Sequence, residues 1–150
     1  MAQPNGLNPA FDSVSIYGGL GAGNNVLRVA KAIYSFAVDG GAVSTITPVG
    51  TVALPDNSVI IGATINSTTA VTSAGAATVA VGTSAGSSTT SILGATAKAS
   101  LSADAVINGV PVLATPVKLT AAGNVTFTVG TAALTAGVIE ATLYYYVANA

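Results

Sequence analysis

V-I-E-A-T-L-Y-Y-Y-V-A, residues 138–148, alternates along its whole length: Ile139, Ala141, Leu143, Tyr145 and Val147 fall on one side, and Glu140, Thr142, Tyr144 and Tyr146 on the other. A repeat of two is the side-chain period of an extended strand, and β-branched and aromatic residues suit a pleated surface. The run reads as a long strand with two faces, each able to be covered.

The same period recurs upstream. Ala32, Tyr34, Phe36 and Val38 alternate with Ile33, Ser35 and Ala37 before the turn signal Asp39-Gly40-Gly41, which predicts a strand and a hairpin. Residues 43–47 and 51–54 read as short strands. Pro55-Asp56-Asn57 makes a turn before S-V-I-I-G-A-T-I-N-S at 58–67, where Val59, Ile61, Ala63 and Ile65 are expected to point inward. The segments A-A-T-V-A-V-G-T (76–83) and N-V-T-F-T-V-G-T (124–131) share T-x-x-V-G-T and are followed by Gly86 and Gly137, as two related hairpins would be. Two matches fall short of the three or more repeats a solenoid needs. Residues 92–107 leave two readings open: their Ala content tolerates a short helix, and Gly94 with the Ser and Thr positions weakens it. Many short strands punctuated by Gly, Pro, Asn and Asp predict an all-β domain, a β-sandwich or jelly roll, over residues 31–150. Residues 1–30 differ. Pro4, Pro9, the N-G and N-P pairs and G-G-L-G-A-G-N-N at 18–25 favour turns, and the segment reads as an N-terminal arm. Fully extended at about 3.3 Å per residue, such an arm spans on the order of 100 Å, enough to cross neighbouring subunits.

Composition narrows the function. Apolar residues make up 51% of the 150 residues, with Ala and Val in excess, whereas charged residues are 6% and the formal net charge is −1. A typical soluble domain carries about 25% charged residues, and near-neutral surfaces tend to associate. Much of the exterior is therefore expected to be buried against other subunits. Cys and His are absent, which excludes a disulfide frame, a thiolate nucleophile, a Ser-His-Asp triad and the usual zinc sites. The start, M-A-Q-P-N-G-L-N-P-A-F-D-S, lacks the basic and apolar regions of a secretory signal, so synthesis is expected to end in the cytoplasm. Charges interrupt every apolar run before the roughly 18 residues of a membrane helix, which predicts no membrane partner. Four scattered basic residues make no phosphate-tracking stripe, which predicts no nucleic-acid partner.

Each candidate for chemistry has a plainer account. G-G-L-G-A-G at 18–23 lacks the strand–turn–helix setting of a phosphate cradle and reads as a loop. A glycosidase pair would need two of Asp12, Asp39, Asp56, Asp104 and Glu140 about 5–10 Å apart in a cleft. Asp12, Asp39 and Asp56 instead sit where turns favour Asp. Asp39 and Asp56-Asn57 lack the alternating acidic spacing of a Ca²⁺ loop. Asn66-Ser67-Thr68 and Asn124-Val125-Thr126 match a glycosylation sequon that has no use without secretion. Thr126 and Thr128 do not extend into the regular ladder of an ice-binding sheet. No catalytic residue, cofactor or metal site is expected. Tyr144–Tyr146 is the single aromatic cluster, and a large rigid ring with a polar tip suits an interface. At least one of Tyr144 and Tyr146 is expected to become buried only on assembly. With Tyr17, Leu20 and Leu27 of the arm, these two form the expected contact set.

Y-S-F-A-V-D-G-G (34–41), L-P-D-N-S-V-I (54–60), A-A-T-V-A-V-G-T (76–83) and T-V-G-T-A-A-L-T-A-G (128–137), leading into the Tyr-rich strand, occur in this order. Together they resemble the decoration, or cement-like, proteins of tailed-phage heads over residues 31–148. The resemblance implies a β-rich virion subunit, oligomeric and often trimeric, that sits on the capsid exterior against the major capsid protein and helps the shell resist genome pressure. It implies no catalytic residues, and it leaves the arm out. The rival expectation is a receptor- or glycan-binding β module of a phage fibre or tail, with Asp39, Asn57 and Asn108 turned to a ligand.

Overall fold

The computed structural model of the protein describes residues 26–109 and 116–148. Among these, the chain forms β1 (Arg28–Ser35), a helical turn α1 (Phe36–Asp39), β2 (Thr45–Ile46), β3 (Ala53–Leu54), β4 (Ser58–Ser73), β5 (Thr78–Thr83) and β6 (Leu93–Ala97). A 3-10 turn (Lys98–Ser100) leads to β7 (Ala105–Gly109), β8 (Val117–Lys118), β9 (Gly123–Gly130) and β10 (Leu134–Val147). The strands make two antiparallel sheets. One has the order β1-β10-β4-β7, with β8 also against β4; the other has the order β2-β9-β5-β6, with β3 also against β9.

This is the expected all-β sandwich. The interior holds Ile60, Ile65, Ile139 and Leu143 from the first sheet, and Val79, Val81, Phe127 and Val129 from the second. Tyr34 on β1 and Phe127 on β9 meet across it, with ring centroids 5.6 Å apart at a tilted 31°, an offset geometry that aromatic quadrupoles favour. On β10, Ile139, Ala141, Leu143 and Tyr145 are buried in alternation, as the sequence pattern requires. The two T-x-x-V-G-T segments are direct neighbours: β5 pairs with β9 from Thr78↔Gly130 to Thr83↔Val125. Their glycines have a local reason. A Cβ on Gly82 would strike the backbone of Ser88 and Thr89, and one on Gly130 would come within 2.8 Å of the Thr78 hydroxyl oxygen.

Two elements differ from their sequence expectations, and a third settles a reading that the sequence left open. The strand expected over 32–38 begins at Arg28, taking in residues 28–30, which had been assigned to the arm, and stops at Ser35. The Asp39 carboxylate accepts the Ser35 N–H at 2.9 Å and Gly40 N–H donates to the Phe36 carbonyl at 3.0 Å, so the backbone coils into α1. On β4 the fully buried residue is Ile60, and Ile61 is only half-buried. β10 pairs Tyr144 with Gly62 and Tyr145 with Ile60, so Ile61 is the extra residue of a β-bulge and the alternation changes parity there. Residues 92–107 hold no α-helix: Leu93–Ala97 pairs with β5 and Ala105–Gly109 with β4. Ladder bonds to two waiting sheet edges outweigh the few tenths of a kcal/mol that separate Ala from its neighbours in helix preference.

Candidate interaction surface

The outer face of the first sheet is built by pairing. Register places Ile33, Glu140, Asn66 and Val106 in one row across four strands, Lys31, Thr142, Thr64 and Asn108 in the next, and Val29, Tyr144 and Gly62 in a third. Directly paired residues point to the same side, so these rows form one surface. Val29 is 60% exposed, Ile33 43%, Val106 66% and Tyr144 37%. The Tyr144 ring lies over Gly62, where a Cβ would sit 3.9 Å from its Cδ2. Lys31 Nζ reaches Glu140 Oε2 diagonally at 2.7 Å, which leaves the face with a neutral ion pair between Val29 and Ile33 on one strand and beside Thr142 on the next. Solvated pairs of this kind contribute about 0–1 kcal/mol and fix little by themselves.

Exposed apolar residues concentrate on β1 and the loop after it. Val26, Leu27, Val29, Ile33, Val38, Val43 and Val49 all lie between residues 26 and 49. That loop is held against β1 by Asp39, whose Oδ1 accepts the Val49 N–H at 2.9 Å while its Oδ2 accepts that of Ser35. The Ile33 N–H then donates to the Gly50 carbonyl at 3.1 Å. Tyr34 closes the same corner by donating its hydroxyl to the Gly40 carbonyl at 2.6 Å. Burial and the nearby Asp39 charge push the Tyr34 phenol up to about 12.

Of the five expected contact residues, Tyr17 and Leu20 lie outside the described residues. Leu27 is exposed just before β1, Tyr144 is on the outer face, and Tyr146 is half-buried on the same side of β10. Val29 and Ile33 escaped the sequence reading, because β1 inverts the usual rule: it buries Ala30, Ala32 and Tyr34 and turns Val29, Lys31 and Ile33 outward.

Two of the acidic residues, Asp39 and Asp56, serve the backbone. Besides Asp39, Asp56 Oδ1 accepts the Asn57 N–H at 2.7 Å, and Glu140 pairs with Lys31; Asp12 lies outside the described residues. Among the described residues no three His, Cys, Asp or Glu side chains gather into a group that could hold a metal, and no helix is long and apolar enough to cross a membrane. Of the residues assigned to a ligand in the rival expectation, Asp39 has both carboxylate oxygens engaged by backbone N–H groups, Asn57 occupies a left-handed turn position with φ of 60°, and Asn108 is a strand residue opposite Thr64.

Neither a protein-family profile nor a curated protein sequence matches the chain. Solved structures do. A chain of the acidic stable capsid structure of Helicobacter pylori bacteriophage KHP30 is 14% identical and superposes over 85% of this chain and 92% of its own, with a TM-score of 0.59. A chain of the capsid of Ralstonia phage GP4 is 14% identical over 85% and 88%, with a TM-score of 0.61. A chain of the cyanophage Pam1 capsid asymmetric unit is 21% identical over 83% and 86%, with a TM-score of 0.57. The fold is thus one found in the capsids of three different phages. The likeness takes in most of each chain and is one of backbone rather than sequence.

Proposed function

We propose that this protein is a virion structural subunit of a tailed phage, without catalytic activity, that assembles with copies of itself as a trimer and binds the major capsid protein on the outside of the head. The observation that carries the reading is the shared backbone with chains of three phage capsids, over nearly the whole of each. The sparse charge supports it, as do the exposed Val29, Ile33, Val106 and Tyr144 on the outer face of the β1-β10-β4-β7 sheet, where Lys31 and Glu140 already pair with each other, because a surface of that kind can be covered without stranding ions. A specific contact needs more than about 1,000 Å² in total, and many small contacts repeated on a lattice add through multivalency.

The test has two parts. Light scattering after gel filtration is expected to give a closed oligomer whose mass holds over concentration and salt. The protein is then expected to co-sediment with capsids of its phage that lack it, and to raise their resistance to heat. Failure to co-sediment with such capsids, together with binding of isolated protein to host cells or glycans, would overturn the capsid reading.

A further inference from the structure

The edge of β1 that faces away from β10 is open along part of its length. Ile33 sends its N–H outward to Gly50, an isolated antiparallel bridge. With the strand period of two, the backbone groups of Val29 and Lys31 are directed to the same outer edge. From Val26 to Lys31 the edge has no described strand beside it. An uncovered edge is a template for another strand, and Leu27 and Val29 make this one apolar.

We propose that this edge receives residues 13–17 of the N-terminal arm of a neighbouring copy, added as a strand parallel to β1. The inference rests on the self-assembly part of the proposed function and names the contact that would make it. Ser13-Val14-Ser15-Ile16-Tyr17 is the one alternating apolar run in residues 1–25, and its five residues fit the six of the open edge. Added in this way, Val14 and Ile16 lie on the Ala30 and Ala32 side, and Ser13, Ser15 and Tyr17 lie beside Leu27, Val29 and Lys31.

Charge favours the arm over a second β1. Two β1 edges brought together would gather two copies each of Arg28 and Lys31 on one short ladder, whereas Asp12 is the only charged side chain of residues 1–25. Direction favours a neighbour's arm over the chain's own. Folded back antiparallel, the chain's own segment would run Asp12, Phe11 and Pro9 into the Gly50 bridge at Ile33. Laid parallel, the segment ends with Gly18-Gly19 at that bridge, where a turn away is easy. The eight residues 18–25 are too few for a parallel return within one chain, which takes about a dozen or more.

The absence of Cys gives a clean background for the test. Chains carrying S15C are co-expressed with chains carrying V29C, oxidised, and mapped by mass spectrometry, with V14C replacing S15C as the control. The S15C–V29C bridge between chains is expected to form at least about tenfold faster than the V14C–V29C bridge, because only same-face neighbours meet disulfide geometry. I16P, outside the residues that form the sandwich strands, is expected to abolish the bridge and leave the circular dichroism spectrum unchanged, since proline cannot join the ladder. Dominant V29C–V29C bridges would overturn the proposal in favour of paired β1 edges. A bridge that forms only within an S15C/V29C double variant would overturn it in favour of the chain's own arm. An oligomer that persists by light scattering with no S15C–V29C bridge would overturn the strand contact and leave the virion reading standing; a monomer that still binds capsids would overturn strand exchange and self-assembly alone.

Discussion

Tyr34 is a fully buried phenol with one bonded partner, the Gly40 carbonyl. Its folded pKa is raised from 10.0 to about 12 by burial first and by Asp39 second. The folded state therefore holds the proton more tightly than the unfolded chain. The stability this group contributes is fully present below about pH 10 and is lost as pH rises from 10 towards 12. Tyr34→Phe is expected to remove that component of the alkaline decline, measured by urea unfolding across the range, and to cost about 1 kcal/mol at neutral pH for the lost hydrogen bond. Thr126 is the opposite case. Its hydroxyl is buried with no hydrogen-bond partner among the described residues. Thr126→Val keeps the shape and drops an unsatisfied polar atom, so it is expected to raise the urea midpoint by the equivalent of about 1 kcal/mol without changing the slope.

At the scale of elements, the corner between β1 and β2 depends on one carboxylate. Asp39→Ala is expected to release both the Ser35 and Val49 N–H groups, to cost about 2 kcal/mol, and to speed hydrogen exchange at Ile33, whose partner Gly50 sits in the freed loop. Exchange at Ala141 and Leu143, in the middle of β10, is expected to stay slow. The strands whose pattern was legible in the sequence are those with one simple alternation, β10 above all. Where reading failed, a local geometric event was responsible. Ile61 looks like a core residue until β10 skips it, and a bulge leaves no mark in a V-I-I run. The strand expected to Val38 ended at Ser35 because a side chain four residues on took its amide. The 92–107 segment was undecidable by composition because its state is set by the edges of β4 and β5, which lie far away in sequence. On the surface, Tyr144 and Leu27 were legible as aromatic or apolar residues with no evident core partner. Val29 and Ile33 were not, since nothing local says that β1 buries its alanines.

For the whole molecule, residues 1–25 and the sandwich are expected to separate functionally. A chain lacking residues 1–25 is expected to keep its β circular dichroism spectrum and its cooperative melt and, under the proposed capsid role, to bind capsids more weakly in co-sedimentation. Unchanged binding would remove the arm from the attachment surface. The same logic sets what salt should do: with so few charges, attachment driven by apolar and backbone contacts should weaken little between low and physiological ionic strength.

The first described strand has the last one as its main partner, with β1 paired along β10 from Arg28↔Tyr145 to Ser35↔Val138. A ribosome must therefore pass the whole of β10 before β1 can be sealed into its sheet. Pairings this distant in sequence make folding slow, and during the wait the β1 strand is bare on both edges. Newly made chains are thus most prone to wrong association in the interval before β1 meets β10. Expression at lower temperature, or at a slower rate, should raise the soluble yield for that reason alone.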